Sequence, residues 1–292
     1  MGSRLAEISC VADVRAVHGE GPVWVASEAA LYWVNISGRR IYRLDESGNV
    51  TEWDTPMRVG AIAPRASGGF IAATDRGFAR IDLDSNRFDV LVHPEEHLPG
   101  NRFNDGKVDR AGRFWAGTMD DGEREATGSL YRLDRDGRWA RLDEGYQVTN
   151  GPAFSPDGRR MYHNDSARQL TYVFDLDEEG IPSNRQVLIR FAASEGYPDG
   201  MTVDCEGCLW IAFWDGWCVR RFTADGRHIA DIPLAVQRPT SCAFGGPDLD
   251  RLYVTSATIG IDAEALEMQP CAGGLLLVET GVRGISQVPF AG

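Results

Sequence analysis

The strongest constraint on the fold of this chain is a segment that recurs six times along its 292 residues. Each copy starts with a short apolar run, passes through a turn and continues into a second run that contains an aromatic residue. Successive starts lie 39, 46, 45, 49 and 41 residues apart. The copies start at Gly21, Gly60, Gly106, Gly151, Gly200 and Ser241. A period of about 40 to 50 residues is typical of propeller blades and other repeat arrays.

Within each copy, the pattern predicts four β-strands. The first strand passes through a turn, SPDG in the fourth copy and DCEG in the fifth, into a second strand, which makes a hairpin. A third strand alternates apolar and polar residues, as in GSLYRLDRDG from Gly128 and QLTYVFDLDEEG from Gln169, and a fourth precedes the next copy. We therefore expect an all-β chain in which residues 1–292 form a single domain, a six-bladed β-propeller of four-stranded antiparallel blades.

A propeller ring must also be closed. The run EISCVADVRA, which precedes the first copy, has the pattern of a strand, and the last copy continues through GGLLLVET to ISQVPF. We expect the N-terminal strand to join the last blade and complete it, because this pairing converts two loose edges into a closed ring.

Charge and hydropathy exclude several classes of partner. The chain has 30 basic and 43 acidic residues, a formal net charge of −13, and no basic patch, so binding to nucleic acid is not expected. No run approaches the ~18 apolar residues of a membrane span. Residues 1–15 lack the pattern of a signal peptide, which favours a cytoplasmic location. The absence of a heptad pattern favours a monomer.

The six cysteines are too sparse for a disulfide-rich scaffold. Cys205 and Cys208 form one CxxC motif, but it lies in the turn DCEGCLW without a second CxxC or a nearby pair of histidines. A turn is therefore favoured over a zinc or redox site.

The residue before each copy begins the innermost strand of its blade, so the repeat predicts that six positions face one mouth of the central channel. Four of them carry carboxylate or carboxamide oxygens. The six positions are Glu20, Val59, Asp105, Asn150, Asp199 and Thr240. Asp, Asn and Gly are also common in turns, so strand entry alone is the alternative interpretation. Such oxygens are ligands for Ca²⁺, Mg²⁺ or Mn²⁺ and, with open positions, for Fe²⁺ or Zn²⁺.

Other catalytic signatures are absent from the sequence. It has no GxSxG, SxxK, GxxxxGK[ST], HExxH or strand-to-helix GxGxxG motif, and its five histidines are scattered. A metal-assisted reaction at the propeller mouth is the chemistry that the sequence favours.

Four motifs in register on the repeat resemble the regucalcin/gluconolactonase family, also called the senescence marker protein and luciferin-regenerating enzyme family. They are GEGPVW from Gly19, RFNDGKVDRAGRFWAGTM from Arg102, NGPAFSPDGRRMYHNDS from Asn150 and YPDGMTVDCEGCLW from Tyr197. Together they extend the resemblance over essentially the whole chain. The family consists of six-bladed propeller lactonases, so the resemblance implies the same fold and a lactonase activity.

The resemblance also implies the roles of individual residues. It implies that Glu20, Asn150 and Asp199 hold one divalent metal ion, and that Arg102 and Asn104 contact the substrate. Many relatives carry a glutamate directly after GTM, where this chain has the acidic loop DDGEREATG. One of three acids in this loop then takes that role, and Glu123 is favoured among them. These candidates are Asp120, Asp121 and Glu123. The form GTM-x-DGE resembles the bacterial pentonolactonase branch of the family. Asp105 is not assigned to the primary site. Its two alternative roles are to bind a second metal ion or to hold the loop in place.

These assignments predict hydrolysis of a small, polar, neutral sugar-acid lactone, a pentonolactone or gluconolactone, to the free acid. Asp199 is the predicted general base, which takes a proton from water and returns it to the ring oxygen. Two alternatives remain at this point. One is hydrolysis of phosphotriesters at the same metal site, and the other is a non-catalytic propeller that binds a metal or a protein.

Overall fold

The computed structural model describes residues 7–292 and contains six four-stranded antiparallel sheets. The predicted six-bladed propeller is thus confirmed. Residues 1–6, part of the segment in which no signal peptide is expected, lie outside the described residues.

The strands follow the repeat. A strand that precedes the first copy is β1 (Ile8–Ala12). Blade 1 contains β2 (Gly19–Val25), β3 (Ala30–Asn35), β4 (Arg40–Asp45) and β5 (Val50–Asp54); blade 2 contains β6 (Val59–Pro64), β7 (Phe70–Thr74), β8 (Gly77–Asp82) and β9 (Arg87–Val92). Blade 3 contains β10 (Asn101–Val108), β11 (Phe114–Asp120), β12 (Gly128–Leu133) and β13 (Trp139–Tyr146); blade 4 contains β14 (Thr149–Phe154), β15 (Arg160–Asp165), β16 (Leu170–Leu176) and β17 (Pro182–Arg190). Blade 5 contains β18 (Tyr197–Val203), β19 (Leu209–Trp214), β20 (Cys218–Phe222) and β21 (His228–Pro233); blade 6 contains β22 (Pro239–Gly245), β23 (Arg251–Ser256) and β24 (Leu275–Glu279).

The core lies between the blades. The second strands are buried along their length, as all residues of β3 and β7 show, whereas the outer strand β5 has no fully buried residue. Neighbouring blades pack aromatic side chains together: Phe78 of blade 2 lies 4.6 Å, between ring centroids, from Phe103 of blade 3. The apolar second strands therefore suit a position between two sheets, and the polar outer strands suit contact with water.

The ring is closed as the sequence predicts. The innermost strands contact one another in the cyclic order β2, β6, β10, β14, β18, β22 and back to β2. In blade 6 the order is β22, β23, β24, β1, so β1 is the outermost strand of the last blade. It pairs antiparallel to β24, with Ile8 opposite Val278 and Ala12 opposite Leu275.

The segment ISQVPF does not continue as a strand of the last blade. Residues 282–292 cross the face opposite the starts of the innermost strands, which we call the base face. Gly284 forms a bridge to Asp204 of blade 5, and Phe290 forms a parallel bridge to Arg65 of blade 2. The Phe290 side chain is buried in the core cluster shared by blades 2 and 3. This segment leaves the opposite face, the mouth face, as the open end of the channel.

Helical structure is confined to short segments in the described part of the chain. The helix α1 (Ala263–Glu267) lies in the connection between β23 and β24, and Asp262 caps it by accepting a hydrogen bond from the Ala265 amide at 2.8 Å. Two 3-10 turns cover Ala26–Glu28 and Ala193–Glu195. None of the helices in residues 7–292 has the length and apolarity that a bilayer crossing requires.

Candidate functional site

A cavity of about 450 Å³ opens at the mouth face, where the innermost strands of blades 1, 3, 4 and 5 begin. Its wall includes every residue that the sequence assigned to the metal and the substrate. These are Glu20, Arg102, Asn104, Glu123, Asn150 and Asp199. These residues lie up to 179 positions apart in the chain, from Glu20 to Asp199, so the cavity exists only in the closed ring.

Irregularities at the start of the innermost strands set the direction of these side chains. In β2 the pairing shifts between Glu20 and Val23, and in β14 it shifts between Asn150 and Ala153. A bulge interrupts the alternation of side chains and redirects one of them, which is a recurrent device next to functional sites. Gly21 in β2 and Gly151 in β14 lie within these shifts and have φ values of 53° and 85°, in the left-handed region that favours glycine.

Glu20 and Asp199 form the acidic centre of the cavity. Both carboxyl groups line the cavity, both side chains are more than nine-tenths buried, and each carboxyl group affects the pKa of the other. Burial, with the neighbouring Asp105 carboxylate, raises the pKa of Glu20 to about 8. Burial, followed by the charges of Glu20 and Asp105, raises the pKa of Asp199 well above its usual range. Two buried carboxylates this close are costly unless a cation or a shared proton compensates their charge.

Asn150 completes a set of oxygen donors around that centre. Its amide nitrogen donates to the Ser166 hydroxyl at 2.8 Å, and Ser166 donates in turn to the Pro198 carbonyl at 2.6 Å. The Asn150 amide oxygen accepts from Asn104 at 3.1 Å and keeps a second lone pair. Two carboxylates and one amide oxygen, all buried, fit a divalent metal ion in donor type and in charge.

Arg102 is fixed in the wall of the same cavity by three acceptors. Its Nε donates to Asp121 at 2.7 Å, and one terminal nitrogen donates to the Phe103 carbonyl at 3.1 Å and to the Asn104 amide oxygen at 2.7 Å. Arg58 of blade 2 also donates to Asp121, at 2.9 Å. Within residues 7–292 the second terminal nitrogen of Arg102 has no such partner, so its hydrogens remain available to a ligand in the cavity.

Asn104 connects these two parts of the site. Its amide hydrogens go to the Thr149 carbonyl, at 2.8 Å, and to Asn150, while its oxygen accepts from Arg102. Asn104 lines the cavity as predicted. A hydrogen bond from its amide to a substrate would require one of its present bonds to open.

The three acids of the loop after β11 have different positions. Asp120 accepts hydrogen bonds from the backbone amides of Arg124 and Glu125 and thereby shapes the loop. Asp121 pairs with Arg102, as described. Of these three acids, Glu123 is the one that lines the cavity, and it is exposed to solvent. The structure thus gives each acid a separate environment, which the sequence did not resolve.

Only three of the six predicted channel positions line the mouth cavity, whereas the repeat predicted that all six face it. Val59, Thr240 and Asp105 are buried but do not line the mouth cavity. The Asp105 carboxylate accepts from the Gly106 amide at 2.7 Å and from the Gly151 amide at 2.9 Å, so it ties blade 3 to blade 4. Asp105 lies inside its bulge, between Phe103 and Gly106, and Asp199 lies inside its own, between Pro198 and Met201. Position in the bulge therefore does not by itself decide whether a side chain lines the cavity, and the two amide donors hold the Asp105 carboxylate away from it.

The sequence analysis missed several residues of the wall. His18, Tyr197 and Trp214 line the cavity, and His18 packs edge-on against Trp214 with ring centroids 5.8 Å apart. Burial, followed by the positive charge of Arg102, lowers the pKa of His18 to about 3, so its imidazole is neutral. All three lie at the beginning of an innermost strand or at the end of its partner. That position in the repeat is the signal that could have identified them.

Two other features lie away from this cavity. A groove of about 720 Å³ runs between blades 1 and 2 and contains none of the channel positions. In the turn that carries the CxxC motif, ligand atoms of Asp204, Glu206 and Cys208 lie within 4.8 Å of one another, but Arg221 forms ion pairs with both acids. Cys205 is exposed while Cys208 is buried, and the motif lies in the turn between β18 and β19.

Comparison with known proteins gives consistent results. Residues 18–258 match the family described as the SMP-30/Gluconolactonase/LRE-like region. The chain is 39% identical over 287 residues to 6-deoxy-6-sulfogluconolactonase of Pseudomonas putida, with 98% of this chain and 99% of that protein covered. It is 37% identical over 295 residues to regucalcin of Xenopus laevis, with the same coverage. The crystal structure of regucalcin from Agrobacterium tumefaciens, described as a calcium-binding protein, aligns with a TM-score of 0.92 at 30% identity and 96% coverage of both chains.

Proposed function

The chain belongs to the SMP-30/gluconolactonase/LRE-like family, and we propose that it hydrolyses a sugar-acid lactone to the free acid with the help of one divalent metal ion. The family includes lactonases among its members, which supports the reaction class. One observation carries the proposal: Glu20, Asn150 and Asp199 bring three buried oxygen donors together at the mouth of a polar cavity.

Glu20, Asn150 and Asp199 are the residues that would hold the metal. A divalent ion supplies Lewis acidity, which polarises a carbonyl group and makes water more acidic. Three protein ligands leave positions open, as catalytic sites require. The calcium-binding description of the Agrobacterium relative supports a divalent ion, and the donor set is compatible with Ca²⁺, Zn²⁺, Mn²⁺, Mg²⁺ or Fe²⁺.

The remaining residues position the lactone and move its proton. The free terminal nitrogen of Arg102 donates hydrogen bonds to substrate oxygens, and Asn104 and Glu123 contact the hydroxyl groups. Water attacks the carbonyl carbon, Asp199 takes its proton, and the bond from that carbon to the ring oxygen breaks. Asp199 then returns the proton to the released oxygen, which becomes a hydroxyl group.

The chemistry of the cavity supports a neutral sugar lactone as substrate. Its wall presents charged and amide side chains such as Arg102, Glu123 and Gln147, which can hydrogen-bond to hydroxyl groups. Pentonolactones and gluconolactones are the candidates, and the name of the Pseudomonas relative adds gluconolactones with a changed substituent at the sixth carbon. A site that hydrogen-bonds each hydroxyl group discriminates strongly against a substrate that lacks one.

The test measures acid release in a pH-stat from D-xylono-, L-arabino- and D-glucono-lactone, with spontaneous hydrolysis subtracted. Chelated protein is compared with protein reloaded with each divalent metal. We expect a metal-dependent rate on at least one lactone and a loss of roughly a hundredfold or more in Glu20→Gln and Asp199→Asn. Glu46→Gln, at an exposed residue, is the matched control.

If no metal supports a rate on any lactone, the proposal is wrong. The same protein samples are then assayed on a phosphotriester, which tests the alternative hydrolase. Tight metal binding without either activity would identify a non-catalytic metal-binding propeller.

A further inference from the structure

The strand that closes the ring carries a cysteine beside a second cysteine from the same blade. Cys10 lies in β1, where it pairs with Leu276 of β24. Cys271 lies in the connection between β23 and β24, residues 257–274. Both side chains are partly buried and pack against the same core cluster of blades 5 and 6.

The two cysteines are neighbours around Gly274. A Cβ atom at that position would lie 2.9 Å from the Cys10 sulfur and 2.9 Å from the Cys271 carbonyl oxygen. Any larger residue there would push apart the two segments that carry the thiols. Cys271 is also close enough to Cys10 to be among the groups that raise the pKa of its thiol.

We propose that Cys10 and Cys271 form a reversible disulfide that fastens the closing strand β1 to blade 6. This inference is independent of the lactonase activity. The bond would join positions separated by about 260 residues, and cross-links that close long loops restrict the unfolded chain most strongly. It would turn a closure that depends on hydrogen bonds and packing into a covalent one.

The oxidant is a small-molecule disulfide such as glutathione disulfide. One protein thiolate attacks it, which forms a mixed disulfide and releases one glutathione thiol. The second protein thiolate then attacks the protein sulfur of that mixed disulfide, which forms the Cys10–Cys271 bond and releases a second glutathione thiol. Two electrons pass to the oxidant, and the protons of the two protein thiols end on the two glutathione molecules.

The environment of Cys10 suits slow exchange. Burial, followed by the neighbouring Cys271, raises the pKa of Cys10 to about 11, so the thiol is protonated at neutral pH and attacks slowly. The bond would therefore respond to sustained changes in redox conditions. In a reducing compartment the dithiol form would prevail, and oxidising conditions would favour the disulfide.

The other four cysteines provide internal controls. Cys205 is exposed in the turn of the CxxC motif, so its thiol would react with an added disulfide without forming the proposed bond. Cys208, Cys218 and Cys242 are buried. The experiment therefore uses Cys205→Ser as the parent protein, which removes the accessible thiol and any cross-link between molecules.

The parent protein is equilibrated with oxidised glutathione under native conditions, alkylated, and mapped by mass spectrometry without reduction. We expect a cross-linked peptide containing Cys10 and Cys271, with loss of two hydrogens, and a melting temperature roughly 5–10 °C higher than in the reduced protein. Dithiothreitol should reverse both changes. Cys10→Ser and Cys271→Ser should lack the peptide and the shift, while melting like the parent under reducing conditions.

Absence of the cross-linked peptide after equilibration would overturn the inference. So would a peptide that forms only when the protein is unfolded by urea, because the folded structure would then not bring the thiols together. An equal rise in melting temperature in Cys10→Ser would show that the stabilisation has another origin and would also refute the assignment.

Discussion

The hydroxyl group of Ser166 is expected to control metal affinity without being a ligand. It accepts the hydrogen bond from the Asn150 amide nitrogen, at 2.8 Å, and donates to the Pro198 carbonyl, at 2.6 Å. The first bond determines which end of the Asn150 amide faces Glu20 and Asp199, and the second fixes the backbone next to Asp199. Ser166→Ala removes both bonds and leaves two buried polar groups without this partner.

The expected loss follows from the cost of those groups. Leaving one buried donor or acceptor unpaired costs about 1–3 kcal/mol, and each 1.4 kcal/mol is tenfold in an equilibrium constant. Part of this cost falls on folding, and the part that reorients Asn150 falls on binding. Groups that orient metal ligands typically contribute 10- to 100-fold to affinity. We therefore expect Ser166→Ala to bind a divalent metal roughly 10- to 100-fold more weakly.

The assay is calorimetric titration of metal-free protein with Ca²⁺ and Mn²⁺, backed by competition with a chelator. Ser155→Ala is the matched control, because the Ser155 hydroxyl makes comparable bonds at the base-face end of the same strand region, to Asp157 at 2.6 Å and to the Arg160 amide at 2.9 Å. The reasoning is refuted if Ser166→Ala binds metal as tightly as the wild type. It is refuted equally if Ser155→Ala weakens binding by the same factor.

Three further predictions concern stability. Deletion of residues 1–12 removes β1 and should lower the melting temperature by roughly 10 °C or more in calorimetry; an unchanged curve would contradict its role in closure. Burial lowers the pKa of His163 to about 3, below its value near 6.5 in the unfolded chain. The free energy of unfolding therefore has its full value above pH ~6.5 and falls on acidification, by about 2 kcal/mol at pH 5, because the unfolded chain binds the proton first. Urea unfolding at several pH values should show that the free energy of unfolding depends less on pH in His163→Phe than in the wild type. His97→Gln, at an exposed residue, is the control and should keep the pH dependence of the wild type. Phe290→Ala should cost about 3 kcal/mol in urea unfolding yet preserve kcat, because Phe290 lies on the base face; a large fall in kcat would argue against that separation.

The fold was predictable because the sequence repeat matches the structural repeat, one copy to each blade. Gly21, Gly151 and Gly200 recur at the same place in their copies, and each lies in the innermost strand of a blade. Closure by β1 was also predictable, since the strand before the first copy is available to complete the last blade, which supplies only three strands of its own. The course of ISQVPF was not, because packing of Phe290 between two distant blades leaves no periodic signal.

The site was predictable in its outline and less so in its details. Register placed Glu20, Asn150 and Asp199 at one mouth, and the structure puts all three in the wall of one cavity. Register could not show that Asp105 turns to the Gly151 amide, because bulges shift by a residue or two between blades. The pairing of Arg102 with an acid 19 residues later depends on the loop conformation, which local sequence does not determine.

The position of β1 has a consequence for synthesis of the chain on the ribosome. The strand is made before blade 1, yet its partner β24 is made more than 250 residues later, which takes roughly 15–50 s at 5–20 residues per second. Blades 1 to 5 consist of consecutive strands and can form as they emerge, while β1 waits with its hydrogen-bonding edges open. A nascent chain is therefore exposed to strand pairing with its neighbours on a polysome until its last blade appears.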